Sequence, residues 1–380
     1  MTQIDLSAIP VVDNHCHGFY RQQRFDGLIA WRRCFTEGGD AELPARHVAA
    51  TLSYRRMLHA LADYLECAPE EEAVFAARNA CDPEALIADL LRAANIEALL
   101  VDQGYPPAGT TLPDADVATR AGCRAEPILR LETLMQELIV AYPTLDAVVE
   151  ALRAELADLR AAGYVALKSI AAYRTGLDIR VWPPMEALEA FRHARREAEA
   201  TGTLRLAHKP LLDALLHVAF VEAARQEIPV QFHTGYGDTD ADLRLANPLH
   251  LRAVLETPAY RAMPVVLLHE CYPYTREGGY LTAVYGQVHL DVSYGIPFLS
   301  LEEMRAFTRA ALGVAPLSKL LYSSDGVGVP ELHWLSALDG RRVLGQALGE
   351  CVDSGELTVR EAEAAGGDIL RENARRLYRL

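Results

Sequence analysis

Eight short apolar runs punctuate the chain, at residues 9–12, 96–101, 125–131, 164–170, 228–232, 265–268, 288–292 and 319–322. Several are continuously apolar, as parallel strands are when both faces are covered. Between them, apolar residues recur every three or four positions, the period of a helix packed on one side. Such stretches fall at 83–94, 132–142, 144–162, 183–200, 209–226, 248–256, 274–285 and 301–312, with two more from about 330 and 358. Asp82-Pro83-Glu84 supplies a cap, a proline at the first helical position and an acidic first turn. Strands alternating with helices in this way predict a (β/α)8 TIM barrel built from right-handed crossovers.

Residues 18–80 interrupt the alternation. Leu52, Leu58, Leu61 and Leu65 give 47–66 a helical face, and 69–80 reads as another helix. The segment has too few large apolar residues for a core of its own. It is therefore expected as a helical insertion after the first strand, over the mouth of one barrel domain spanning 1–380. No internal repeat or low-complexity tract suggests another architecture.

A formal net charge of −15 argues against a nucleic-acid surface or an anionic membrane patch. No apolar run approaches the roughly 20 residues of a membrane span. The first ten residues lack the basic segment and apolar stretch of a secretion signal. Seven scattered cysteines without a C-x-x-C pair suit a reduced compartment, so a cytoplasmic setting is expected. A barrel of this length is compatible with a homo-oligomer, although no segment marks an interface.

Barrel chemistry gathers at the C-terminal ends of the strands. Those ends carry His15 and His17, Lys168, His233, His269 and Asp325. His15 and His17 flank one residue, so strand alternation puts both imidazoles on one face. Cys16 then faces the other way and is expected to pack. Imidazole and carboxylate suit zinc and similar divalent ions. Such an ion lowers the pKa of a water ligand from about 15.7 to near 7. Asp325 can both ligate and accept the proton, and His269 can bind a second ion or polarise the scissile group. Taken singly, these residues have plainer uses: Asp325 as a helix cap, Lys168 as a strand-end surface lysine. Arg130, Tyr173, Arg174 and Arg276 lie near strand ends and are candidates for holding a small acid, although arginines also pair with protein carboxylates.

The set H-x-H, Lys, His, His, Asp on eight strands resembles the amidohydrolase superfamily. The stretches Asp-Asn-His-Cys-His, Leu-Lys-Ser-Ile-Ala-Ala-Tyr-Arg-Thr-Gly-Leu, Gln-Phe-His-Thr-Gly-Tyr-Gly-Asp, Leu-Leu-His-Glu-Cys-Tyr-Pro-Tyr and Tyr-Ser-Ser-Asp-Gly are similar to its amidohydrolase 2 branch. That branch includes the amidohydrolase-like half of proteins fused to a glutamine-synthetase-like half. The resemblance implies a metal-dependent hydrolase of an amide or other C–N bond in a small carboxylate-bearing substrate, with γ-glutamyl amides suggested by the fusion. It implies one or two divalent ions, zinc first, held by His15, His17, Lys168, His233, His269 and Asp325. In binuclear members the corresponding lysine is carbamylated and bridges the ions. The alternative is an unmodified Lys168 gripping a substrate carboxylate beside a single ion. Related members decarboxylate aromatic acids or isomerise uronic sugars, so those reactions stay open. A non-catalytic barrel is the third reading, and the intact ligand set argues against it.

Overall fold

The computed structural model describes residues 2–380. Its strands are β1 Val11–Cys16, β2 Ile96–Asp102, β3 Arg124–Arg130, β4 Ala166–Ser169, β5 Val230–Phe232, β6 Val265–Leu267, β7 Val288–Ser293 and β8 Leu320–Ser323. They form one eight-stranded sheet in chain order, with helices interleaved, which is the (β/α)8 barrel. The pairings are parallel, as at β1 with β2 and from β3 through β7. By contact density the chain divides into two compact units.

The first unit runs to Glu126 and adds Gly237–Thr239 and Asp291–Arg376. Every residue of β1 and β8 is buried, including the polar Asp13, Asn14 and His15 of β1. The insertion belongs to this unit and builds an aromatic cluster. Trp31, Phe35 and Tyr54 lie with ring centroids 5.2–5.8 Å apart in edge-on arrangements. Its helix Glu71–Ala80 is tied to the long helix Pro330–Asp353 by Arg78, whose Nε lies 2.6 Å from Glu331 Oε1. Arg78 also donates to the side chain and carbonyl of Gln23. Gln23 in turn donates to Gly328 O at 2.7 Å and Tyr20 O at 2.8 Å. Arg78 and Glu331 are both buried, so each charge depends on the other for compensation.

The insertion departs from the helix expected over 47–66. Leu43–His47 is a π turn, Val48–Ala50 a 3-10 turn, and the α-helix is Leu52–Tyr64. Thr51 is the reason. Its Oγ1 accepts from Tyr54 N and starts the helix there. The helix expected over 144–162 likewise stops at Glu155, and 248–256 opens as the 3-10 turn Pro248–Leu251 before Arg252–Glu256.

The second unit holds Pro127–Tyr236, Asp240–Leu290 and the last four residues. Leu167, Val230 and Val265 align across β4, β5 and β6, all buried. Helix Lys209–Gln226 covers this sheet segment, with Phe220 5.7 Å from Phe232. Among the described residues, no helix is long and apolar enough to cross a membrane.

Candidate metal centre

In the first unit the site grows from the backbone. Asp325 N donates to His15 O at 3.0 Å and His17 N to Gly326 O at 2.8 Å, so the end of β1 is stitched to the turn after β8. Asp325 takes a left-handed conformation, φ +50°, an uncommon state for a residue with a side chain. Its Oδ1 lies 3.4 Å from both His15 Nε2 and His17 Nε2. The two imidazoles stand edge to face, 5.1 Å apart. His17 Nδ1 lies 3.1 Å from Tyr105 O and 3.4 Å from Asp102 O. Carbonyls only accept, so Nδ1 carries the proton and Nε2 keeps its lone pair for a cation. Cys16 faces the other way, with Sγ 3.5 Å from Leu100 O.

Behind these groups lies a layer that holds them. Asp13 accepts from Ser324 N at 2.9 Å and Ser324 Oγ at 2.5 Å, and Gly326 N donates to Ser324 Oγ at 2.9 Å. Asp13 is buried, and that burial pushes its carboxyl up to about 7 against the opposing Ser324 hydrogen bonds. Asn14 Nδ2 donates to Tyr322 O, and Ser323 Oγ to Asp291 Oδ2. Gly326 has no room for a side chain, because a Cβ would lie 2.7 Å from His333 Nδ1.

The second unit presents its groups by ring packing. Lys168 on β4, His233 just past β5 and His269 just past β6 are all buried. The His233 and His269 rings are 4.3 Å apart, and Tyr173 packs on His233 at 4.2 Å. His233 N donates to Ser169 O, and Thr234 Oγ1 to Leu268 O. His269, Glu270 and Cys271 are consecutive left-handed residues, at φ +61°, +54° and +53°. Such backbone costs energy and concentrates at functional sites. Gly235, at φ +68°, lies where a Cβ would be 2.2 Å from Tyr272 O.

Strand-end logic thus places His15, His17 and Asp325 together in the first unit, and His233 and His269 together in the second. Arg130 ends β3 opposite Lys168, half-buried, and Tyr173 and Arg174 lie in the loop after β4. Arg276 is exposed in the first turn of helix Thr275–Val284. Asp102 is an addition: His15, His17 and Asp102 bring one ligand atom each within 4.8 Å of one another. It ends β2 as a carboxylate, the same signal that marked Asp325. Asp13 and Ser324 were legible only as parts of motifs, since their contact joins residues 311 apart in sequence.

A family model described as amidohydrolase matches residues 106–380. Protein fluG of Emericella nidulans is 37% identical over 223 residues, which is 57% of this chain and 26% of that protein. The chain therefore spans about a quarter of that relative's length. A structure from Lactobacillus casei, provisionally named a metal-dependent hydrolase, is 27% identical with a TM-score of 0.87, covering 99% of this chain and 98% of that one. The uronate isomerase of Thermotoga maritima, 16% identical with a TM-score of 0.67 over 98% of this chain and 95% of its own, shares the fold.

Proposed function

Because the chain belongs to the amidohydrolase family, we propose that it is a metal-dependent hydrolase cleaving an amide or other C–N bond of a small, carboxylate-bearing molecule, γ-glutamyl amides foremost. The observation that carries the reading is the Asp325 carboxylate, 3.4 Å from two imidazole nitrogens whose strand ends are hydrogen-bonded to its own turn. Nitrogen and carboxylate donors of this kind fit zinc. His15, His17, His233 and Asp325 would hold the ion, with His269 and Lys168 for a second. A bound divalent ion would polarise the scissile carbonyl and bring the pKa of a water molecule toward neutrality.

The chain's own residues do the rest. Asp325 accepts the proton of the attacking water and returns it to the leaving nitrogen. His269 polarises the scissile group where only one ion is bound. Lys168 is 2% exposed. Unmodified, it would repel a cation and suit a substrate carboxylate; carbamylated, it would offer an anionic carboxylate as a metal ligand. We take the carbamate as the working reading, which extra density on Nζ and bicarbonate-dependent metal loading would support. Arg130, Tyr173, Arg174 and Arg276 are the proposed substrate contacts. The insertion over 18–80 would cover the mouth of the single barrel domain. The scattered cysteines, none of them in a disulfide, favour a cytoplasmic setting.

Elemental analysis of the purified protein, followed by product analysis on γ-glutamyl amides, N-acyl amino acids, lactones and aromatic acids, tests the reading. One or two ions per chain and a released amine are expected. Carbon dioxide, or an isomer of unchanged mass, would replace hydrolysis with decarboxylation or isomerisation. A protein that takes up no metal and gains no stability from zinc would be a non-catalytic barrel.

A further inference from the structure

The loop after β4 is tied by backbone hydrogen bonds and carries two buried donors without acceptors among the described residues. Thr175 N and Gly176 N both donate to Ala171 O at 2.9 Å, and Leu177 N donates to Leu245 O at 2.9 Å. Gly176 is left-handed, φ +85°, and a Cβ there would lie 2.9 Å from Leu245 Cβ. Within this loop, Arg174 Nε and Thr175 Oγ1 are both buried and find no hydrogen-bond partner among the described residues. Arg174 reaches only Tyr173 O, at 3.5 Å, the outer limit of a hydrogen bond. Buried donors nearly always have acceptors, because leaving one unmade costs its full desolvation.

Arg174 lies among other charged groups, none of which pairs with it. Arg205 donates to Tyr173 O at 3.2 Å and pairs with Asp240 at 2.9 Å. Glu132 is buried, with one oxygen accepting from Ser169 Oγ at 2.7 Å, and burial raises its pKa. Burial first, then Arg205, lowers the pKa of Arg174, while Arg130 adds to the repulsion and Glu132 and Asp240 oppose it. Asp240 is engaged by Arg205 and one Glu132 oxygen by Ser169, while the other Glu132 oxygen is also buried without a partner, and among the described residues no carboxylate lies within ion-pair distance of Arg174. What Arg174 and Thr175 lack is an acceptor, and a guanidinium is best matched by an anionic one.

We propose that Arg174 and Thr175 bind the substrate's carboxylate, so that the loop after β4 selects acids over their neutral amides. A planar, singly charged group with two oxygens matches one guanidinium edge and one hydroxyl. Tyr173, packed on His233, sets the loop beside a proposed metal ligand. The inference rests on the hydrolase reading only in taking that anion to be the substrate's own.

Calorimetric titration with glutarate, L-glutamate and benzoate, each against its amide counterpart and against inorganic phosphate, tests it. Wild type is measured as purified and after chelation, beside Arg174→Met, Arg174→Lys and Thr175→Val. At least one acid should bind wild type tenfold or more tightly than its amide. Arg174→Met should erase that ratio, Arg174→Lys should keep part of it, and Thr175→Val should weaken the acid about three- to tenfold, all with unchanged metal content. Melting curves identify any variant that fails to fold, and Arg174→Lys and Thr175→Val then decide. No preference for any acid in wild type, a ratio unmoved by the variants, or tighter binding of phosphate would overturn the proposal. If the protein holds no metal yet the ratio collapses in Arg174→Met, the hydrolase reading fails and the carboxylate site stands. If hydrolysis is found and the ratio does not move, the reverse holds.

Discussion

The first unit fixes its functional groups with hydrogen bonds, and the second fixes them with packed rings and a strained turn. Asp13, Ser324 and the backbone of His15, His17, Asp325 and Gly326 form a network in which the ends of β1 and β8 each donate to the other. His233, by contrast, is held between Tyr173 and His269, and the three residues from His269 are left-handed in succession. Hydrogen bonds set orientation and tautomer, which proton transfer requires. Ring packing sets position and leaves the neighbouring loop to carry cationic side chains. On the proposed reading, the first unit supplies the base Asp325 with two imidazoles, and the second supplies the remaining candidate ligands together with the arginine-bearing loop.

The sharpest break in that comparison is Asp325→Asn. Turnover should fall at least about a thousandfold, within the span of general acid–base effects, while the melting temperature stays close to wild type. Steady-state rates on the substrate found by the screen, with melting curves alongside, check this. Near-full activity would remove Asp325 as the base.

Next in size is Arg78→Ala, which strips the buried partner from Glu331. A loss of about 3–5 kcal/mol in denaturant unfolding is expected, if the pair behaves as buried pairs do. A loss under about 1 kcal/mol would mean that water replaces the guanidinium.

A pH experiment probes the first unit from within. His333 is buried against Phe19, ring centroids 4.4 Å apart, and burial pushes its pKa down to about 4 from 6.5. The unfolded chain therefore binds a proton between pH 6.5 and 4 that the folded chain does not. The His333 contribution is complete above pH 6.5 and drains away as pH falls toward 4, by about 2 kcal/mol at pH 4.5. His333→Phe should lose this slope, so its stability relative to wild type should improve by about that amount between pH 7.5 and 4.5. Parallel pH profiles would contradict the shift.

Asp13→Ala, which leaves two Ser324 donors unanswered, should weaken metal affinity by about 10–100-fold in chelator competition. Tyr173→Leu should have the smallest effect. An aromatic pair contributes about 0.5–1.5 kcal/mol, so about a two- to tenfold drop in the same assay is expected. If Tyr173→Leu hurt more than Asp13→Ala, the division between the units would be reversed.

The barrel was legible because several of its strands are buried on both faces and read as uninterrupted apolar runs, such as Val265–Leu267, at regular intervals between helical stretches. The candidate ligands were legible because barrel function gathers at one end of each strand. Asp102 escaped because a carboxylate after a strand is as often a turn former, and Asp102 does accept from Gly104 N at 3.0 Å. The start of helix Leu52–Tyr64 escaped because Thr51 caps locally where apolar spacing alone continued upstream. Asp13 with Ser324, and Arg174 with Thr175, depend on which distant groups are or are not nearby. Local periodicity holds no record of that.

Gln23 reaches Gly328 across 305 positions, and Arg78 reaches Glu331 across 253. During synthesis, these two anchors of the inserted segment cannot form until the final strand and its following helix have left the ribosome. The docking of this segment onto the end of the chain is thus among the last steps to complete, at the kinetic cost that distant pairings impose. A nascent chain halted before Gly328 would leave that segment loose and open to proteases and chaperones.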